Sequence, residues 1–262
     1  MDARPEPSIE DAAGRARWAS ARAAMRRQFS DCADLLLPRA CALCERVLLR
    51  GEYGFCDPCF DDLPGRTAAR CPICGLPAAG AASPAAPAGC HACRRHPPAF
   101  DATTVLADYA PPLDHLVTAL KFRRQLALAR ALGEALSRLL AAAPTDRSVL
   151  VTAVPLGRQR LLERGFNQSQ LVAQVLARRL GLAAPRLLLR RRRDTPPQAG
   201  LSLDNRQQNL RDAFECVAEV EGRIVWLVDD VMTTGATLDA CARALKQAGA
   251  AGVTNIVAAR TP

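Results

Sequence analysis

Aromatic side chains are scarce in this chain, only 4% of its 262 residues. A hydrophobic core must therefore be built chiefly from leucine, valine and alanine. No uninterrupted apolar run reaches the roughly 18 residues that a membrane span requires. The N-terminus lacks the apolar stretch and small-residue cleavage site of an export signal, which sets the expectation of a cytoplasmic protein. The Gly-Lys-Ser/Thr ending of an ATP-type phosphate loop is missing. So are a Gly-x-Gly-x-x-Gly fingerprint and a His-Glu-x-x-His helix, and with them the usual sequence grounds for those three chemistries. An acidic excess is absent too: the formal net charge is +9. That balance favours phosphate-bearing partners, although a basic surface by itself speaks only of solubility and association.

What is present is length enough for one sizeable core plus an appendage. Residues 1–34 are rich in alanine and in arginines such as Arg15, Arg17, Arg22, Arg26 and Arg27. Their composition predicts a basic tail, disordered or loosely helical. Met25 precedes the first patterned segment and offers an alternative start of translation.

Nine of the eleven cysteines lie between Cys32 and Cys93. Eight form Cys-x-x-Cys pairs: Cys41/Cys44, Cys56/Cys59, Cys71/Cys74 and Cys90/Cys93. A two-residue spacer turns both thiolates of a pair toward one ion, so four pairs predict two structural Cys₄ zinc sites within residues 35–98. Disulfides suit an exported chain better, and a redox Cys-x-x-Cys needs one pair rather than four. Pairing by order, first with second and third with fourth, is simplest; an interleaved arrangement stays open. His91 and His96 are expected at the surface, and Cys32, Cys216 and Cys241 as ordinary buried side chains. Few large apolar groups occur here, so the module depends on metal for folding. The Ala/Pro/Gly stretch Pro77–Gly89 reads as a loop, and Pro97-Pro98 as a boundary.

From residue 99 onward the pattern alternates between strand and helix, which predicts a parallel α/β sheet with helices on both faces. Ala102–Ala107 and Val149–Val154 read as strands, and Leu113–Phe122 and Leu126–Leu140 as helices. After the second strand comes an arginine-loaded break at 155–160. A helix follows it, with Phe166, Leu171, Val175 and Leu176 placed to face a core. Loops at the carboxyl ends of such strands are where open α/β sheets bind ligands. The strand candidate Leu187–Leu189 then gives way to a long polar segment that ends near Phe214, the pattern of a mobile lid. Arg190–Arg193 reads equally as a solvated charge run or as a nucleic-acid contact.

The densest signal is Val225-Trp226-Leu227-Val228-Asp229-Asp230-Val231-Met232-Thr233-Thr234-Gly235-Ala236-Thr237. An apolar strand from Ile224 to Val228 is expected to end at the two acids. A turn follows, then a helix over 238–248 with Leu238, Cys241, Leu245 and Ala248 on one face. Free N–H groups of Thr233, Thr234, Gly235, Ala236 and Thr237, at the positive end of that helix, suit a phosphate. Asp229 and Asp230 suit two neighbouring sugar hydroxyls. The pattern resembles the phosphoribosyl-pyrophosphate (PRPP) signature of type I phosphoribosyltransferases.

Taken together, several motifs resemble the ComF family. They are the four Cys pairs, Leu120-Lys121-Phe122, Arg164-Gly165-Phe166-Asn167-Gln168, Thr195-x-x-Gln198 with Leu201, Arg206, Asn209 and Phe214, and the Asp-Asp-Val-Met-Thr-Thr-Gly-Ala-Thr loop. The resemblance spans about residues 35–260. It implies a double zinc ribbon (35–98) followed by a phosphoribosyltransferase-like domain (99–262). It also implies a role in natural transformation, with single-stranded DNA and DNA-uptake proteins as partners. Under it Asp229 and Asp230 are the catalytic or ribose-holding pair, and Mg²⁺ accompanies PRPP. Lys121, Arg158, Arg164, Asn167, Gln198 and Arg206 are candidates for the pyrophosphate and the lid. A second reading is an active enzyme that transfers the 5-phosphoribosyl group to a base or amine.

Overall fold

The computed structural model describes residues 39–49, 51–77, 89–141, 146, 148–192 and 213–262. The N-terminal tail, most of the Pro77–Gly89 loop, and the Gln198 and Arg206 region of the expected lid lie outside these residues.

The centre is a four-stranded parallel sheet built from β1 (Ala102–Asp108), β2 (Leu150–Ala153), β5 (Ile224–Met232) and β6 (Gly252–Arg260), in the order β1-β6-β5-β2. Near-continuous apolar runs such as Val225–Val228 and Val253–Ala259 make sense here because the strands are covered on both faces. One layer holds α3 (Leu113–Phe122), α4 (Ala127–Leu140) and α6 (Gln168–Arg179). Trp226 and Val228 pack toward it, with Leu120, Leu132 and Leu176. The opposite face holds α7 (Ala236–Gln247), where Val225 and Leu227 meet Leu238, Cys241 and Leu245. The short α5 (Arg158–Arg164) lies between β2 and α6 in the chain. Strands β3 (Leu189–Arg191) and β4 (Phe214–Cys216) pair antiparallel beside α7.

Two small helices, α1 (Asp57–Asp61) and α2 (His91–Arg95), each begin at a metal-ligand cysteine, Cys56 and Cys90. The first ribbon packs on α4. Its Gly54 lies so close that a Cβ would meet the Ala131 carbonyl oxygen at 2.3 Å. Arg138 Nη1 donates to the Phe55 carbonyl at 2.9 Å. The second ribbon lies along β1: Thr103 N–H donates to Pro72 O at 2.9 Å and Asp108 N–H to Pro64 O at 2.7 Å. Across the sheet, Arg186 N–H donates to Val151 O at 2.9 Å, laying the segment before β3 along β2.

Several boundaries differ from the sequence expectation. Strand β5 does not stop at Val228 but runs through both acids to Met232, because β6 continues beside it to Met232↔Arg260. The second half of the arginine-loaded break, from Arg158, is the start of helix α5, which Gly165 closes at φ +79°. The strand expected over Leu187–Leu189 is Leu189–Arg191, set by its register with β4. On α6 the buried face is Val172, Ala173, Leu176 and Ala177; Phe166, Leu171 and Val175 are only partly buried. Ala248 is exposed because α7 has ended by then, and Cys216 is partly exposed with its thiol on Ala218 O.

Candidate functional site

The two acids stand at the carboxyl end of β5, and neighbouring helices reach them. Lys121, in the last turn of α3, places Nζ 3.0 Å from Asp230 Oδ2, an ion pair around a buried carboxylate. Asn167 caps α6, accepting from Ser169 N–H at 3.0 Å and Gln170 N–H at 3.4 Å, while its own Nδ2 holds Val154 O. That cap fixes Ser169, whose hydroxyl donates to Asp229 Oδ1 at 2.8 Å. Asp230 N–H donates to the same oxygen. Burial, and then the adjacent Asp230 carboxylate, push Asp229 up to about 7.

Beyond the acids the chain turns through Thr233 and Thr234 to Gly235, at φ +81°, and enters α7. A Cβ on Gly235 would meet Met232 Cε at 2.6 Å, so glycine serves both the left-handed backbone and the close packing. Thr234 Oγ1 takes the Ala236 N–H. Among the described residues, no protein acceptor meets the N–H groups of Gly235, Thr237 and Leu238. They line a small cleft with Asp229, Met232, Thr233 and Thr234. A concave turn of free N–H donors at a helix start, with the Asp229 carboxylate in the same cleft, is chemically matched to a sugar phosphate.

The expected pyrophosphate residues separate in space. Lys121 is at the acids, whereas Asn167 is committed to its cap. Arg164 donates to Gln168 Oε1 at 3.1 Å and lies 5.2 Å over the Phe122 ring. Arg158 is exposed in the first turn of α5. Gln198 and Arg206 fall outside the described residues. The structure gives three of the four arginines Arg190–Arg193 neighbours on β4. Arg190 and Arg192 both bond Glu215, each at 2.5 Å from Nε, and Arg191 lies over Phe214. Sequence reasoning missed Ser169, although a hydroxyl two residues after a capping Asn is a recognisable signal. It also missed Arg260, a buried arginine that ends an apolar strand.

The cysteines gather as expected by order. Cys41, Cys44, Cys56 and Cys59 form one group, and Cys71, Cys74, Cys90 and Cys93 the other, all sulfurs of a group lying within 4.8 Å of one another. Distances of 3.7 Å for Cys44–Cys56, 4.0 Å for Cys71–Cys93 and 3.8 Å for Cys74–Cys90 fit the edges of a tetrahedron. With Zn–S bonds of ~2.3 Å those edges are ~3.8 Å. Backbone donors favour the thiolate form: Cys90 N–H meets Cys71 Sγ at 3.2 Å. Cys56 is drawn down to about 6, chiefly by the Cys59 backbone. Both clusters fit a structural zinc ion, and His91 and His96 are exposed.

The raised Asp229 carboxyl gives a pH prediction. Its folded value lies above the ordinary one, so its contribution to stability is full only below about pH 4 and is lost as pH rises toward 7. Asp229→Asn removes that loss. The variant should therefore gain more thermal stability over wild type at pH 8 than at pH 4.5. Equal differences at the two pH values would contradict the assignment.

Comparison with known proteins agrees with this layout. Residues 32–94 match the double zinc ribbon domain, and residues 167–262 the phosphoribosyl transferase domain. The chain is 38% identical over 223 residues to the DNA utilization protein YhgH of Salmonella typhimurium, covering 84% of this chain and 96% of that protein. It is 33% identical over 167 residues to competence protein F of Haemophilus influenzae, covering 61% and 73%. With competence protein ComFC of Bacillus subtilis it shares 26% identity over 221 residues, covering 78% and 82%.

Proposed function

The chain belongs to the ComF family, and from that premise we propose that it is a cytoplasmic PRPP-binding protein that handles incoming single-stranded DNA during transformation. The observation that carries the ligand is the junction of β5 and α7. There Asp229 shares a cleft with a glycine turn that has N–H donors to spare, and Asp230 stands next to it in the chain, buried against Lys121. In this reading the acids hold the ribose hydroxyls and the turn holds the 5-phosphate. Lys121 pairs with the second acid and holds it in place.

Magnesium fits as a companion of the ligand. Both acids already have protein partners in Ser169 and Lys121, so the chain supplies a hard cation with little of its own shell. Mg²⁺ is suited to such a site, since it is commonly held by substrate phosphates, water and one or two carboxylates. Bound there, it would neutralise pyrophosphate charge.

Support for the DNA partner is of a different kind. The relatives are named for DNA utilization and competence, and the chain is basic. Phe122 is 70% exposed beneath Arg164, with exposed Arg123, Arg124, Arg158 and Arg160 on the same two segments. Exposed rings among arginines suit unpaired bases and their phosphates.

Titrating Mg²⁺-PRPP into the full chain by calorimetry tests the ligand reading; absence of binding heat at several temperatures would overturn it. Pyrophosphate release over a panel of bases and amines, with and without single-stranded DNA, separates a ligand-binding role from transfer.

A further inference from the structure

The ribbon ligated by Cys71, Cys74, Cys90 and Cys93 touches the β5–α7 turn through one side chain. Arg260, the last residue of β6, is 4% exposed. Its Nε donates to Cys74 O at 3.0 Å, the carbonyl of a zinc-ligating residue. Its Nη1 donates to Met232 O at 3.2 Å and to Thr233 O. One guanidinium thus holds the zinc knuckle by one edge and the start of the phosphate turn by another. Thr261 N–H adds a 3.0 Å bond to Met232 O. A second chain of contacts runs in parallel: Thr103 Oγ1 donates to Ile73 O at 2.6 Å and receives Asn255 Nδ2 at 3.1 Å. The knuckle is seated tightly, since a Cβ on Gly75, at φ +68°, would meet Val105 Cγ2 at 2.5 Å.

Among the described residues the first cluster makes no bond to that turn. Its contacts, Gly54 on Ala131, Arg138 on Phe55 O and Tyr53 beneath Arg179, are with α4 and the last turn of α6.

We propose that the second zinc site holds the phosphate turn in its binding shape, with Arg260 as the positioning residue. Zinc loss at that site releases the turn, and loss at the first site does not. The physical reason is the cost of a buried guanidinium. Its donors must find acceptors, and the five-donor fork fixes the relative places of all the carbonyls it serves. When the knuckle unravels, the Cys74 acceptor departs. The guanidinium is then free to turn to water and leave Met232 and Thr233 unheld.

The consequence for affinity rests on the reading that this turn binds a ribose 5-phosphate, and the test keeps the two apart. Hydrogen exchange of the bonded amides of Ala236, Asp239 and Thr261 is measured in the full zinc-loaded chain and in Cys90→Ser, Cys44→Ser, Arg260→Met and Arg260→Lys. Exchange should quicken at least tenfold in Cys90→Ser and Arg260→Met, and change less than twofold in Cys44→Ser. Arg260→Lys should recover part of the protection. Peptides from α6 report whether each variant is folded; if Cys90→Ser loses them as well, Arg260→Met decides. Unchanged exchange at these three amides in a folded Arg260→Met overturns the coupling, whether or not PRPP binds. Mg²⁺-PRPP affinity should fall about tenfold in the same two variants. A wild-type chain that binds no PRPP refutes the ligand reading alone.

Discussion

Asp229→Asn combined with Asp230→Asn is expected to abolish Mg²⁺-PRPP binding, lowering affinity by a factor of about 10²–10⁴. The magnitude follows from two charge-assisted hydrogen bonds at ~1.5–3 kcal/mol each, where about 1.4 kcal/mol is a factor of ten. The shape of the site survives the change, because the amides keep the size of the acids and Ser169 can still meet Oδ1 of the new side chain. Asp230→Asn leaves Lys121 facing a neutral partner in a buried place, so the circular dichroism spectrum and melting point should be recorded with the affinity. Ser169→Ala, which only frees Asp229 to rotate, should cost far less, about tenfold or below. Calorimetry that gave the double variant wild-type affinity with an intact fold would remove the β5–α7 junction from consideration as the ligand site.

The second large effect concerns the metal. The purified protein should carry about two zinc ions, four thiolates to each. Stripping them with a strong chelator should collapse residues 39–96. Structural zinc sites of this kind contribute ~10–16 kcal/mol to folding at neutral pH. This module has little with which to replace that. Among its described residues the buried apolar side chains are Phe55, Phe60 and Leu63 beside the cysteines themselves. Loss of even ~5 kcal/mol at ~2–4 °C per kcal/mol lowers a melting point by ~10–20 °C. Metal analysis that returned no zinc from protein purified without chelators, or an unchanged melting curve after stripping, would refute the metal's structural role.

Much of this was legible in the chain, and the reasons differ from element to element. The Cys-x-x-Cys pairs were readable because metal geometry is local: the spacer alone turns two thiolates to one ion. Their association by order was left open by spacing and was closed by the structure. The helices 113–122 and 127–140 were readable because a 3.6-residue apolar period survives any tertiary context. The end of β5 is not legible in sequence, because a pair of acids looks like the end of a buried strand. Its actual length is set by β6, a neighbour far away in sequence. Asn167 reads in sequence as a ligand contact, and in the structure its side chain caps α6; a polar side chain before a helix serves either purpose equally well in sequence. Arg260 left no local trace at all. Its partners Cys74 and Met232 are 186 and 28 residues away, so only the folded sheet brings them to it.

The placing of the second ribbon along β1 has a consequence for solubility. In the order β1-β6-β5-β2 the outer strands are β1 and β2, and an outer strand with free amides invites pairing with another molecule. The segment at Arg186 occupies β2, and Pro64 and Pro72 take the β1 amides of Asp108 and Thr103. The zinc ribbon is therefore a guard on an adhesive border. A chain stripped of metal, or an α/β domain cut free at residue 99, exposes that border and becomes prone to self-association. The two halves of the molecule are thus one unit for the purpose of staying dispersed.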